Sequence, residues 1–171
     1  MPPPNEGGSA KGEVMLTHLY LIRHGEAKSE QEDPKMPLTE KGREDSGRVA
    51  AFISSGHPLN IDRIYHSGKA RASQTAEIFA RALAPQTGMF ETEGLKPTDD
   101  PNIWLRRLKG IEKNLALVGH LPHLARLASA FLTGKTDPPF IALGASGVAC
   151  LRRYEGIWTL EWLIEPELIK D

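Results

Sequence analysis

Leu21-Ile22-Arg23-His24-Gly25-Glu26 is the stretch from which the rest of the chain is best read. An apolar run stops abruptly at an arginine, a histidine and a glycine. If Tyr20 to Ile22 close a buried strand, the chain leaves its sheet at the carboxyl edge, where ligands of open α/β sheets bind. His24 then stands at the mouth of a site. Arg23 supplies a planar, permanently charged fork that matches phosphate, and Gly25 allows the backbone to approach a ligand closely. The combination points to a histidine working on a phosphoryl group.

Outward from this stretch the chain alternates strands with helices. Met15 to Arg23 reads as a first strand, apolar enough at Leu19, Leu21 and Ile22 to be covered on both faces. Glu26 to Pro37, polar and carrying Pro34 and Pro37, is a loop. Thr39 caps a helix to about Ser54 with Val49, Phe52 and Ile53 on one side, and Gly56-His57-Pro58 ends it. Ile61 to His66 is a second strand, and Ala70 to Leu83 a second helix with Ile78, Phe79 and Leu83 facing the core. A weak extended stretch at Phe90 to Leu95, a turn at Pro97 to Asp100 and a short helix at Asn102 to Lys109 follow.

From Asn114 the opening arrangement repeats. Leu115 to Val118 is a short apolar run bounded by Gly119-His120, and Leu121 to Leu132 is a helix that Gly134 terminates. Gly147 to Tyr154 and Ile157 to Ile164 form a final pair of strands around the hairpin signal Glu155-Gly156. The expected fold is α/β: a three-layer sandwich with a mostly parallel central sheet, helices on both faces and antiparallel strand pairing near the C-terminus.

The chain has 171 residues, with 21 Lys and Arg against 22 Asp and Glu. Near-neutral charge of both signs argues against nucleic acid or an anionic membrane as the main partner. Residues 1–14, rich in Pro, Gly and small polar side chains, read as a disordered tail, and 15–171 as one catalytic domain. No apolar stretch approaches the roughly 20 residues that cross a bilayer, so a cytoplasmic location is expected. Cys150, the single cysteine, lies in the apolar run Val148 to Leu151 and reads as a buried structural thiol.

Three strands end in groups able to hold phosphate. The first ends in Arg23-His24, the second leads through His66-Ser67 to Arg71, and the later one ends at His120. In a parallel sheet these ends share one edge, where guanidiniums, imidazoles and helix amino termini meet around a dianion. Each has a plainer reading: Arg23 as a surface strand-end arginine, Arg71 as a solvated helix residue, His120 as a strand-end or helix-capping histidine. His123, three residues after His120, has no further Cys or carboxylate at ligand spacing, so neither a metal nor any other cofactor is expected.

Four segments in this order carry a resemblance: Leu21-Ile22-Arg23-His24-Gly25-Glu26-Ala27, Leu38-Thr39-Glu40-Lys41-Gly42, Ser67 to Thr75, and Leu117-Val118-Gly119-His120-Leu121-Pro122. The chain resembles the histidine phosphatase superfamily, and within it the short SixA-type phosphohistidine phosphatases, from Leu16 to the end. The resemblance implies a phosphate pocket of Arg23, His24, Arg71 and His120. In it His24 is the nucleophile that becomes a phosphohistidine and is then hydrolysed. Arg23, Arg71 and His120 hold the equatorial oxygens.

Two departures stand out. Many relatives have proline after the serine matching Ser67, where this chain has Gly68. The chain is also too short for the insertion that carries the general acid of the mutase-like branch. Glu26, Glu91, Glu93, Asp99 and Asp100 remain as acids, and Asp100 is preferred because Leu95-x-Pro97-x-x-Asp100 resembles a SixA-type segment. Asp99 and Asp100 also read as a turn and a helix cap.

A phosphohistidine on a protein partner is the expected substrate, since imidazole titrates near pH 6.5 and leaves more easily than an alkoxide. The alternatives are a broad phosphomonoesterase acting on small phosphate esters, a phosphoglycerate mutase, and a non-catalytic phosphate-binding module.

Overall fold

The structure, a computed structural model, describes residues 16–56 and 59–170. The expected tail at 1–14, Met15, and the His57-Pro58 stop signal lie outside the described residues. The elements run β1 (Thr17–Arg23), α1 (Glu40–Gly56), β2 (Arg63–His66), α2 (Ala70–Leu83), β3 (Met89–Glu91), α3 (Asn102–Arg107), β4 (Leu115–Gly119), α4 (His123–Thr133), β5 (Val148–Tyr154) and β6 (Ile157–Ile164). They form one six-stranded sheet ordered β3-β2-β4-β1-β5-β6. The first four in this order are parallel, and β5 and β6 are antiparallel additions beside β1. The fold is the α/β sandwich expected from the sequence.

Period-two alternation sorts the central strands onto two faces. Leu19 and Leu21 of β1 and Leu115 and Leu117 of β4 pack with Trp104, Leu124 and Leu127 of α3 and α4. Tyr20, Ile22, Ala116 and Val118 pack with Val49 and Ile53 of α1 and Ala72, Ala76 and Phe79 of α2. Each buried Leu, Ile or Val contributes about 2 kcal/mol relative to exposure. Such strands have no polar face, which is why they read as continuous apolar runs.

Some expectations shift in detail. Phe52, expected beside Val49 and Ile53, is half exposed, since only part of the three-residue row can face the sheet. The second strand begins at Arg63, although Ile61 is still buried. The weak stretch from Phe90 shrinks to the three-residue edge strand β3, and α4 starts at His123, two residues later than expected.

Local sequence explains the element ends. Thr39 caps α1: its Oγ1 accepts the Gly42 N–H at 3.0 Å and donates to Glu26 Oε1 at 2.8 Å. Gly134 closes α4, its N–H bonding the Ala130 carbonyl. At the tip of the β5–β6 hairpin Glu155 and Gly156 both have positive φ, the backbone of a tight two-residue turn.

Candidate active site

β1 and β4 end side by side, with Arg23 opposite Gly119, and β2 ends one step away, with His66 opposite Val118. The residues that follow these ends, His24, His120 and Ser67, therefore emerge together. The His24 and His120 rings lie 4.9 Å apart between centroids. Ser67 Oγ is 2.6 Å from His120 Nε2. Arg71 stands on the first turn of α2, and its charge acts on both imidazoles. Arg23 donates from one guanidinium nitrogen to the Leu143 carbonyl at 2.9 Å, and its buried Nε has no partner among the described residues. The structure thus brings Arg23, His24, Arg71 and His120 to one edge.

His24 is held from every side. Its N–H donates to the Gly119 carbonyl at 3.0 Å, and its own carbonyl accepts the Ser146 N–H at 3.2 Å. Its ring Nδ1 lies 2.7 Å from the Gly25 carbonyl. A carbonyl only accepts, so Nδ1 carries the proton and Nε2 is left with a free lone pair. Burial, joined by the charges of Arg71 and Arg23, holds the His24 imidazole down to about 4 against a smaller opposing pull from the Gly25 bond. Burial and the neighbouring His24 and Arg71 hold His120 down to about 3. Both rings are neutral at pH 7.

The remaining motif residues anchor this frame. Thr75 Oγ1 accepts the Gly25 N–H at 3.0 Å and donates to the Arg71 carbonyl at 2.8 Å. Gln74 Oε1 accepts the Leu38 N–H at 2.8 Å. Gly25 and Gly42 allow two backbones to touch: a Cβ on Gly42 would stand 2.1 Å from the Glu26 carbonyl oxygen, and one on Gly25 2.7 Å from that of Gly42. The segments carrying the resemblance are therefore one packed unit.

The departure at Gly68 has a structural counterpart. Its φ is +82°, a region closed to proline, and its N–H donates to His66 Nδ1 at 3.2 Å, a bond proline cannot make. A Cβ there would stand 2.2 Å from Glu91 Oε1, so the Glu91 carboxylate lies directly over this loop.

The carboxylates are less concentrated. Asp100 Oδ1 accepts from both the backbone and side-chain nitrogens of Asn102, at 3.0 and 2.8 Å, at the start of α3. The backbone bond from Asn102 is foremost in holding its carboxyl below the usual range. Asp99 accepts the Lys96 N–H, and Glu26 is taken by Thr39.

Three contributors escape sequence reading. Ser146 is fully buried, has φ +63°, and besides holding the His24 carbonyl shares a hydrogen bond with Ser46. Its only signal was the flanking Gly144-Ala145-Ser146-Gly147. His66, through which the second strand leads to Arg71, is buried and pins the Gly68 loop. His123 is fully buried with neither ring nitrogen bonded among the described residues, and burial holds it down to about 4.

These buried imidazoles make stability depend on pH. Unfolded, His24, His120 and His123 take up protons near pH 6.5, whereas folded they resist until about 4, 3 and 4. Between those values the unfolded state binds more protons, so stability falls as pH drops from 6.5 towards 4. Thermal unfolding should show a Tm that is level above pH 7 and falls steadily between pH 6.5 and 4. A Tm unchanged across that window would show the three rings to be charged in the fold.

An open, mostly parallel α/β sheet with two histidines and two arginines gathered at its carboxyl edge defines the class to which this chain belongs. The model of the histidine phosphatase superfamily (branch 1) matches residues 19–99. An uncharacterized protein of a Picosynechococcus species is 37% identical over 142 residues, covering 78% of this chain and 84% of the relative. Phosphohistidine phosphatase SixA of Escherichia coli is 25% identical over 153 residues, covering 86% and 93%. A structure of the protein histidine phosphatase SixA complexed with tungstate superposes with a TM-score of 0.75 at 27% identity, covering 90% of this chain and 99% of that one. The chain belongs to the histidine phosphatase superfamily and is a hydrolase of the phosphatase type.

Proposed function

We propose that this chain removes phosphoryl groups from phosphohistidine of a protein partner through a covalent intermediate on His24. The observation that carries this reading is the His24 ring itself: neutral, with Nδ1–H given to the Gly25 carbonyl and Nε2 free to attack. In the first step the Nε2–phosphorus bond forms while the bond from phosphorus to the departing imidazole nitrogen breaks. In the second, water attacks phosphorus, Nε2 leaves, and inorganic phosphate departs. Arg23, Arg71 and His120 carry the charge that gathers on the equatorial oxygens, the contribution that dominates phosphoryl transfer. The tungstate held by the SixA structure, an oxyanion, supports an anion site in this fold.

The substrate class follows from proton supply. The Asp100 carboxylate acts as an acceptor in both its bonds and is held ionised, so we assign it to capping α3, as the alternative reading had it. An alkoxide departs slowly without an acid, whereas an imidazole leaving group, with its pKa near 6.5, departs readily. The SixA relative is a phosphohistidine phosphatase by name, which supports the same choice.

Specificity constants for a phosphohistidine-bearing protein and for a simple alkyl phosphate monoester should differ by at least about tenfold in favour of the first, one 1.4 kcal/mol step in barrier. Equal or reversed constants would favour a phosphomonoesterase, and no turnover of either a phosphate-binding module.

A further inference from the structure

A second cluster of reactive side chains lies at the opposite end of β1. His18 and Arg23 are five residues apart on that strand, roughly 17 Å at the usual strand rise. His18 Nε2 is 3.1 Å from Glu161 Oε2, and the Cys150 thiol donates to the same oxygen at 3.6 Å. One ligand-type atom from each of His18, Cys150 and Glu161 lies within 4.8 Å of the others.

The sheet builds this cluster by a specific device. Tyr20 pairs with Cys150 and His18 with Arg152 across β1 and β5, so His18 and Cys150 share a face. On β6 Glu161 would alternate to the other face. The register slips between Cys150, which pairs with Trp162, and Leu151, which pairs with Leu160, leaving Glu161 as the extra residue of a β-bulge. Bulges re-aim side chains, and this one turns the carboxylate towards His18 and Cys150. The other carboxylate oxygen, Oε1, lies 3.7 Å from the Arg152 guanidinium, an outer partner of the kind that orients metal-ligating carboxylates. Cys150 is fully buried, while the His18 and Glu161 side chains are 22% and 33% exposed, leaving a way in from solvent.

We propose that His18, Cys150 and Glu161 form a binding site for a divalent transition metal of the zinc type, with solvent in the fourth position. An imidazole, a thiolate and a carboxylate are the donors that zinc accepts in tetrahedral sites. Zinc at its usual bond lengths separates its ligands by about 3.3–3.7 Å, close to the distances around Glu161 Oε2. Binding replaces the thiol proton, since the metal–sulfur bond forms as the proton passes to solvent, and breaks the His18–Glu161 pairing. The bound ion would join β1, β5 and β6, the antiparallel side of the sheet, and stabilise the fold in proportion to its free concentration. This site is independent of the phosphatase reading, and its ligands, at positions 18, 150 and 161, are too dispersed to show as a sequence motif.

Cobalt(II), added to the whole protein, reports the thiolate directly because Cys150 is the single cysteine. One equivalent should produce a thiolate-to-cobalt charge-transfer band that zinc abolishes and that Cys150→Ser lacks. Should Cys150→Ser fold poorly, Glu161→Gln, at a partly exposed bulge, carries the test: its zinc affinity should fall at least tenfold, and zinc should raise its Tm less than that of the parent. A parent without the band, or zinc stabilisation equal in the parent and Glu161→Gln, would overturn the proposal.

Discussion

Replacing His24 by alanine is expected to lower turnover of an aryl phosphate or a phosphohistidine protein by at least about 1,000-fold, because the atom that bonds to phosphorus is gone. The fold should survive. Among the described residues the His24 ring makes one side-chain hydrogen bond, to the Gly25 carbonyl, while its backbone remains anchored to Gly119 and Ser146. The variant should also lose less stability on acidification, since it lacks one of the buried imidazoles that take up protons on unfolding between pH 6.5 and about 4. Rapid acid-free denaturation during turnover should trap a phosphoryl group on the parent and none on His24→Ala. Activity in the variant above about a tenth of the parent's would remove His24 as nucleophile.

Arg71→Ala should cost about 100- to 1,000-fold in kcat/KM, the usual loss when one donor to a developing oxyanion is removed. Arg71→Lys, which keeps the charge and loses the planar fork, should recover part of it. A second readout separates phosphate binding from simple damage. Arg71 is one of the charges holding the His24 imidazole down to about 4, so its removal should move the acid limb of the kcat/KM profile upward from that value. The backbone role of Arg71, accepting the Thr75 hydroxyl, is untouched by either substitution. A loss under tenfold with an unmoved acid limb would place the phosphate elsewhere.

Local pattern was a good guide where one energetic term dominated. Buried strands such as Leu19 to Ile22 and Leu115 to Val118 are apolar throughout, so their extent was readable to within a residue or two. The helix from Ala70 to Leu83 and the cap at Thr39 followed from periodicity and one hydroxyl. Reading weakened where competing partners decide. Phe52 looked like core and is half exposed, because only the sheet's position tells which part of an apolar helix stripe is covered. Asp100 carried both an acid reading and a capping reading, and the Asn102 hydrogen bonds belong to the second.

The residues that support the site were harder to find than those that compose it. Arg23, His24, Arg71 and His120 stand at strand ends or helix starts, where residue type and position both speak. Ser146 acts through a backbone hydrogen bond to His24, far away in the chain, and His66 through one from the Gly68 N–H two residues on, and no residue type announces either bond.

By itself the sequence determined the alternation of strands and helices, the apolar central strands and the chemistry available at their ends, because these depend on local propensity and on burial common to all such sheets. Only the tertiary structure decided which nitrogen of His24 is free, that its ring is neutral, that Gly25 and Gly42 touch, and that a bulge turns Glu161 towards His18 and Cys150. Protonation and aim are set by what surrounds a side chain in space, and in this protein those surroundings come from segments as far apart as β1 and β6.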